Sequence, residues 1–522
     1  GGQVSTAWIV LVFIVVLGIG ITGALQIFQL RITENLQQKI FTRASFEFAY
    51  RIPRVRMEAL YKHYAPELIN RFFDTISVQK GLSKILIDFS TATLQIVFGI
   101  VLLSLYHPFF ILFGLLLVIL VFAIFRFTAK RGLETSLQES KHKYRVAHWL
   151  EEVARTFTSF KMAGDSDLPL RRVDGLNCGY LSARESHFKI LIQQYSLMVV
   201  FKVVVAAGLL AIGGVLVMQQ LMNIGQFVAA EIIILLIISS VEKLIVSLET
   251  IYDVLTAFEK IGQVTDLELE QGEGIELNGT ADSKGMRIEI RDANFTYPGY
   301  HKRTLEELNL SIPAGERLQI TGGNGSGKTT FLSVIAGIYD VQEGQIKYEG
   351  YAKNLIDLDS LRTKMGGAFS NDHLFEGTVF ENVSMGKEGI TKDQVQLTMD
   401  YMRLDDFMHD LPEGLDTKLD PQGLKLPRSV IQKLRLARAV SGNPSLLLLE
   451  DPFEHIDKKD KEPIIDYLLD KKHNWTVIVV SKDEYLARHV DRIALMSDGK
   501  VVEYGDYPKM EKYLNLDEVP DA

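Results

Sequence analysis

Thr321-Gly322-Gly323-Asn324-Gly325-Ser326-Gly327-Lys328-Thr329-Thr330 decides how the second half of this chain is read. An apolar, charge-alternating stretch ending in Leu318-Gln319-Ile320 leads into it, and the helix-forming run Phe331-Leu332-Ser333-Val334-Ile335-Ala336 follows. Strand, glycine-rich loop and helix in that order are the context a phosphate-binding P-loop requires. Such a loop converges backbone N–H groups on the phosphates, Lys328 reaches the outer phosphates, and the Thr329 hydroxyl is placed to bind Mg²⁺. Gly322, Asn324, Gly325, Ser326, Gly327 and Thr330 complete the candidate cradle. With every motif position filled and both flanks right, a chance glycine-rich turn is the poorer explanation. The chain is expected to bind a nucleoside triphosphate, or to descend from one that did.

Working outward, short β-like runs alternate with helical patterns from Met286 onward: Ile288-Glu289-Ile290, Leu318 to Thr321, Ser445 to Leu449, and Thr476 to Val480. That alternation predicts an α/β domain with a mainly parallel sheet. The stretch from Asp266 to Lys284, with its acidic, Gly, Asn and Ser content, reads as a linker.

Ahead of the linker the composition changes. Mean hydropathy is +0.11 over the 522 residues, high for a soluble chain. Residues 1–30 carry no charge, and Ala7 to Leu30 is long enough to cross a bilayer, which takes about 20 apolar residues. A second uncharged stretch, Phe89 to Phe125, is broken at Tyr106-His107-Pro108 and reads as two antiparallel spans. Two more fit Leu197 to Val217 and Phe227 to Leu248. Arg31, Lys39, Arg43, Arg51, Arg54 and Arg56 follow the first span, and Arg126, Lys130 and Arg131 follow the third, whereas the turns at 106–108 and 218–226 have no basic residue. The basic segments are therefore predicted to face the cytoplasm. This gives about five spans and places Gly1 outside. Segments 31–80 and 130–185 are charged and largely free of Gly and Pro, so they predict membrane helices that continue past the bilayer. Breaks near Arg51-Ile52-Pro53 with Tyr64-Ala65-Pro66, and near Ala163-Gly164-Asp165-Ser166-Asp167, are expected to form transverse elbows. The expected divisions are a transmembrane domain over 1–262, a linker over 263–285 and a nucleotide-binding domain over 286–522.

A net charge of −9 and a pI near 5.8 argue against nucleic acid as a partner. Cys178 is the single cysteine, which excludes an internal disulfide and a cysteine zinc cluster, and it is expected to be an inert structural thiol. Lys202 and Glu231 are ionisable groups inside apolar spans, where charge is costly, so they are expected to interact or to share a polar cavity.

The order of parts, membrane helices with long cytoplasmic extensions and then a P-loop domain, resembles the ABC exporters in their half-transporter form, over nearly the whole chain. Ala65-Pro66-Glu67-Leu68-Ile69-Asn70-Arg71 with Asp74 is similar to the family's segment after the first elbow, and Lys161 to Asp167 to the second. By resemblance these elbows are coupling helices that dock on nucleotide-binding domains. Phe295-Thr296-Tyr297-Pro298 is similar to the family's aromatic loop, which makes Tyr297 the stacking platform for adenine. The resemblance implies ATP and Mg²⁺ as ligands, with Thr329, Ser370 and Glu450 at the magnesium positions. Six spans per half are usual in the family, so five here predict a further N-terminal span, with the first one seen being the family's second.

Against that family the chemistry positions depart. After Leu446-Leu447-Leu448-Leu449 the family has Asp then Glu; this chain has Glu450 then Asp451, a register fixed by Asp457. Asp451 is one methylene short at the general-base position, and a misplacement of roughly 1 Å costs on the order of 10²-fold in rate. Counting back from Leu436-Ala437-Arg438-Ala439, the signature Leu-Ser-Gly-Gly-Gln is replaced by Leu426-Pro427-Arg428-Ser429-Val430. Pro427 offers neither a hydroxyl nor an N–H. Lys482 stands for the switch histidine, and Ser370, within Ala368-Phe369-Ser370-Asn371, for the loop glutamine. Asp451 and Lys482 are therefore degenerate catalytic positions beside an intact nucleotide-binding loop.

The expected function is an ABC exporter-like membrane protein that binds ATP and hydrolyses it slowly or not at all, ATP mainly closing the domain dimer. Competing functions are a fully active exporter that tolerates the substitutions, and a membrane scaffold for a secretion partner such as a periplasmic adaptor. The defective base and the defective signature lie on one chain, so a normal partner half would leave both composite sites damaged. A homodimer is favoured over a heterodimer for that reason. The expected location is a bacterial inner membrane, with the nucleotide-binding domain in the cytoplasm.

Overall fold

The computed structural model describes residues 6–61, 65–270, 272, 274–277 and 285–514. The chain divides into two compact units, Gly1–Arg54 with His63–Leu267, and Val55–Lys62 with Glu268–Ala522. The expected outward position of Gly1 falls outside the described residues, as do 271, 273 and the whole of 278–284 in the linker.

Five helices among the described residues are long and apolar enough to cross a membrane. They are α1 (Thr6–Arg51), α2 (Asp74–Tyr106), α3 (Phe109–Arg155), α4 (Leu168–Met218) and α5 (Ile224–Thr265). The 51 residues of α4 reach about 77 Å at 1.5 Å per residue, more than twice the ~30 Å hydrocarbon core. The expected extensions are therefore continuous with the spans. Two residues separate α2 from α3, with His107 extended and Pro108 at the N-cap of α3, where its missing N–H costs nothing. Asn223 starts α5 through a reciprocal cap: its Oδ1 accepts from the Gln226 N–H at 2.8 Å, and Gln226 Oε1 accepts from the Asn223 N–H at 2.9 Å.

Leu103, Phe110, Leu117, Met198, Phe201, Ile234 and Ile237 form one buried cluster from α2 to α5. At Gly99, a Cβ would meet Ile237 at 2.8 Å, so α2 approaches α5 closely there. One set of buried polar side chains in this unit is mutually paired. Gln194 Nε2 donates to Thr128 Oγ1 at 2.9 Å and to Tyr252 Oη at 2.7 Å, all within the interior.

Two expectations need correction. Lys202 Nζ meets Glu242 Oε2 at 2.5 Å, so its partner is Glu242 and not Glu231. The antiparallel geometry of α4 and α5 explains this. Lys202 lies sixteen residues before the end of α4 at Met218, about 24 Å, and Glu242 lies eighteen residues into α5, about 27 Å, whereas Glu231 lies only seven in. Cys178 is exposed on α4 and is a surface thiol, not a structural one.

The second unit contains two main sheets. An antiparallel sheet has the order β2 (Leu305–Ile312), β1 (Ile288–Phe295), β4 (Glu343–Tyr348), β5 (Tyr351–Ala352). A six-stranded sheet runs β10 (Lys500–Gly505), β9 (Arg492–Ser497), β3 (Arg317–Gly322), β8 (Thr476–Val480), β7 (Leu446–Glu450), β6 (Met365–Ala368). It is parallel except at its β9–β10 edge; Leu318 pairs with Ile478, and Ile478 with Leu448. Every residue of β3, β7 and β8 is buried; β7 and β8 accordingly read as apolar runs, whereas β3 alternates Leu318 and Ile320 with the buried polar residues Arg317, Gln319 and Thr321. One face carries α6 (Lys328–Ile335), through Phe331, Leu332 and Ile335. The other packs Leu434, Leu436 and Ala437 of α7 (Arg428–Val440) with Ile464, Ile465 and Leu468 of α8 (Lys458–Leu469). Within this unit Val55 bridges to Leu269, Ile275 bridges to Ile356, and Leu277 enters the core, so described parts of the expected linker are anchored.

Candidate functional site

The carboxyl ends of β3, β7 and β8 meet, the place where open parallel sheets bind ligands. Gly322, the last residue of β3, has φ +146°, and a Cβ there would lie 2.2 Å from the carbonyl oxygen of Met496 on β9. Gly327 has φ +96°, and a Cβ would lie 2.8 Å from the Thr304 carbonyl oxygen. No other residue type fits either position without strain. Between them the chain turns through Asn324 and Gly325, both exposed, and Ser326, buried, before α6 begins at Lys328.

Lys328 Nζ donates to the carbonyl oxygens of Gly322 at 3.0 Å and Gly323 at 2.6 Å, and to Ser326 Oγ at 3.2 Å. Its ammonium is thus held inside the loop it belongs to. Burial lowers its pKa from the ordinary lysine value and Lys482 adds to that, while Asp451 and Glu450 oppose it. Thr329 Oγ1 donates to Glu450 Oε1, and the backbone N–H of Ser370 donates to Glu450 Oε2 at 2.9 Å. The three residues expected at the magnesium positions are therefore gathered on one carboxylate, at the end of β7. Ser370 takes part through its backbone. A Thr hydroxyl beside a buried carboxylate is a donor set suited to Mg²⁺, which favours oxygen ligands and keeps several of its waters. Bound there, the ion would neutralise phosphate charge.

Asp451 follows with a left-handed backbone, φ +39°, and its N–H donates to the Val480 carbonyl oxygen at 2.9 Å. Loss of solvent, then the charges of Glu450 and Glu454, push its carboxyl above the ordinary value, and Lys328 and Lys482 pull it back. Lys482, just past β8, is exposed and close enough to act electrostatically on both Lys328 and Asp451. Asp451 and Lys482 thus share one mouth with the loop. Pro427 and Arg428 lie apart from these contacts, exposed, with Pro427 the N-cap of α7 and no side-chain cap bond there.

Tyr297 lies just beyond β1. Its hydroxyl hydrogen-bonds Thr330 Oγ1 at 2.9 Å, which ties the aromatic loop to the first turn of α6. Its ring meets Phe295 and Tyr339 edge to face, at 4.9 Å and 5.4 Å between centroids. Tyr61, from the Val55–Lys62 segment of this unit, stacks on it at 5.6 Å with 28° between planes. Sequence reading missed Tyr61, and nothing local announces it. It also missed Gln432, whose Nε2 donates to the Pro452 carbonyl oxygen at 2.9 Å and ties α7 to the turn after Asp451. Its fixed distance from Leu436-Ala437-Arg438-Ala439 was the available clue. Among the described residues no cluster of three or more His, Cys, Asp or Glu is placed to hold a metal.

Residues 2–241 match the family described as ABC transporter transmembrane region, and residues 305–454 the family described as ABC transporter. The chain is 25% identical over 461 residues to the transport/processing ATP-binding protein ComA of Streptococcus pneumoniae, covering 84% of this chain and 61% of that protein. It is 26% identical over 320 residues to the uncharacterized ABC transporter ATP-binding protein YwjA of Bacillus subtilis, covering 61% of this chain and 55% of the relative. Against the ATP-dependent lipid A-core flippase of Escherichia coli it is 30% identical over 254 residues, 48% of this chain and 43% of the flippase. The chain thus spans less than two thirds of the length of each of these relatives. Its fold matches the structure of a bacterial Atm1-family ABC exporter with ATP bound, at a TM-score of 0.88 and 19% identity, over 99% of this chain and 91% of that one.

Proposed function

We propose that this chain, which joins a match to an ABC transporter transmembrane region to a match to an ABC transporter domain, is an ABC exporter half that binds Mg-ATP at the Lys328 loop and hydrolyses it slowly or not at all. ATP then acts mainly as the ligand that closes a dimer of these domains. A ligand that binds one state alone stabilises it by about 2.7 kcal/mol at a hundredfold excess over Kd, with no turnover needed. The observation that carries the proposal is the contrast between neighbours at the end of β7. Glu450 gathers Thr329 and the Ser370 N–H as a magnesium site needs, while the next residue is Asp451 with a left-handed backbone. In the same mouth Lys482 supplies a point charge where the family supplies an imidazole. Pro427 starts α7 without an N–H to offer a γ-phosphate.

Two copies of this chain form the proposed closing pair, since base and signature are altered together. A bacterial inner membrane is the proposed site of action, with a periplasmic adaptor as a further partner. Purified protein in lipid nanodiscs tests the central point. ATP should bind in a Lys328-dependent manner with phosphate release at background; rapid Lys328-dependent release would overturn the proposal.

A further inference from the structure

Residues 55–61, part of the second unit, are fastened to the rest of it at several points. Val55 bridges to Leu269, the Arg56 N–H donates to the Glu268 carbonyl oxygen at 3.0 Å, and Met57 packs on the core. The Arg56 guanidinium reaches Glu268 at 2.7 Å and Asp340 at 2.9 Å. Asp340 is held in turn by Lys353 at 2.6 Å, and its N–H donates to Glu58 at 3.1 Å. These contacts set Tyr61 at the end of a braced segment, and its ring lies on Tyr297 with 5.6 Å between centroids. Tyr61 itself is 43% exposed, so the solvent side of the pair stays open.

A nucleobase stacking on Tyr297 needs a ring face. Phe295 and Tyr339 crowd that ring from within the core, and its hydroxyl is tied to Thr330, so Tyr297 cannot turn away without breaking a bond. Two rings 5.6 Å apart leave no room for a third between them, because stacked aromatic planes each need about 3.5 Å. We infer that Tyr61 is a further base-recognition residue: it covers the Tyr297 face, and an adenine ring is admitted only by displacing it. Ligands with a planar base then face a competitor that a bare polyphosphate never meets. The inference rests on the Lys328 loop being an ATP site.

The test compares Kd values of Mg-ATP and of inorganic tripolyphosphate for the full chain in nanodiscs, with Tyr61→Ala, Tyr61→Phe, Tyr297→Ala, Lys328→Ala and the Tyr61→Ala/Tyr297→Ala pair. Losing the Tyr61 ring should tighten ATP about three- to tenfold, the range of one aromatic pair, and leave tripolyphosphate unchanged. Tyr61→Phe should match the parent, and the gain should vanish in the pair variant. Weaker or unchanged ATP binding in Tyr61→Ala, an equal shift for tripolyphosphate, or a gain that survives Tyr297→Ala each overturns the inference. ATP binding indifferent to Lys328→Ala instead overturns the ATP-site reading itself, which separates the two failures.

Discussion

Lys202 Nζ and Glu242 Oε2 lie 2.5 Å apart across α4 and α5, two of the helices long and apolar enough to cross a membrane. Both side chains keep about a third of their surface exposed, at 31% and 35%. A lone charge at the centre of a spanning helix costs roughly 2.5–3.5 kcal/mol on insertion scales, an upper bound for this pair, which lies about 24–27 Å from the ends of α4 and α5 that face each other. Lys202→Met and Glu242→Gln should each lower thermal stability in detergent, and the double variant should lose less than the two summed. A coupling of about 1–3 kcal/mol is expected. Additive losses would show that the pair does not act as a unit.

That pair also marks where sequence stopped being informative. The buried strands Leu446 to Leu449 and Val477 to Val480 are legible because a strand buried on both faces is mostly apolar, whereas Leu318 to Thr321, with buried Gln319, is legible from the glycine loop that follows it. The P-loop is legible because backbone approach forces glycine at fixed spacing. Lys202 is legible as a charge in need of a partner, but the partner follows from where α4 ends and α5 begins, which composition leaves open by several residues. Tyr61 on Tyr297 is harder still, since a stack between distant segments leaves no local periodicity.

Arg317 opens β3 and is almost wholly buried, at 1% exposure. Its guanidinium donates to the carbonyl oxygens of Gly315 at 3.0 Å, Asp470 at 2.9 Å and His473 at 3.2 Å, and to that of Trp475. It therefore closes the chain that returns from α8 to β8. Arg317→Leu should keep the volume apolar and orphan these acceptors. A loss of about 3 kcal/mol or more is expected, since bonds from charged donors contribute roughly 1.5–3 kcal/mol each. Urea or thermal unfolding followed at Trp475 reads this directly; a loss under half that size would show that water replaces the guanidinium.

Glu316 offers a pH test. Tyr504 Oη donates to Glu316 Oε1 at 2.6 Å, while Oε2 is buried with no partner. Burial pushes the Glu316 carboxyl above its ordinary value, Tyr504 opposing and Asp491 adding to the rise. A carboxyl with a raised folded pKa holds its proton more tightly in the folded state. Its contribution is complete below the ordinary carboxylate value and is lost as pH rises through the folded one. Glu316→Gln has no such proton to lose. Its melting temperature should exceed the parent's by more at pH 8 than at pH 4.5. An advantage independent of pH would assign the effect to packing instead of charge.

The turnover prediction joins the site residues together. Lys328, Thr329 and Glu450 supply charge and oxygen ligands for Mg-ATP, so Lys328→Ala should weaken ATP binding about ten- to a hundredfold, as loss of charged hydrogen bonds implies. Phosphate release should stay near background in the parent chain. Asp451→Glu alone should restore little: its longer side chain would still spring from a left-handed backbone, with Lys482 beside it and Pro427-Arg428 at the start of α7. Residues that act as a unit in catalysis are strongly non-additive. Substantial recovery is therefore expected only when Asp451→Glu, Lys482→His, Pro427→Ser and Arg428→Gly are combined, and it should again require Lys328. Lys328-dependent turnover of roughly 1 s⁻¹ or faster in the unaltered chain, an ordinary enzyme rate, would show that Asp451 and Lys482 already do the work of the groups they replace.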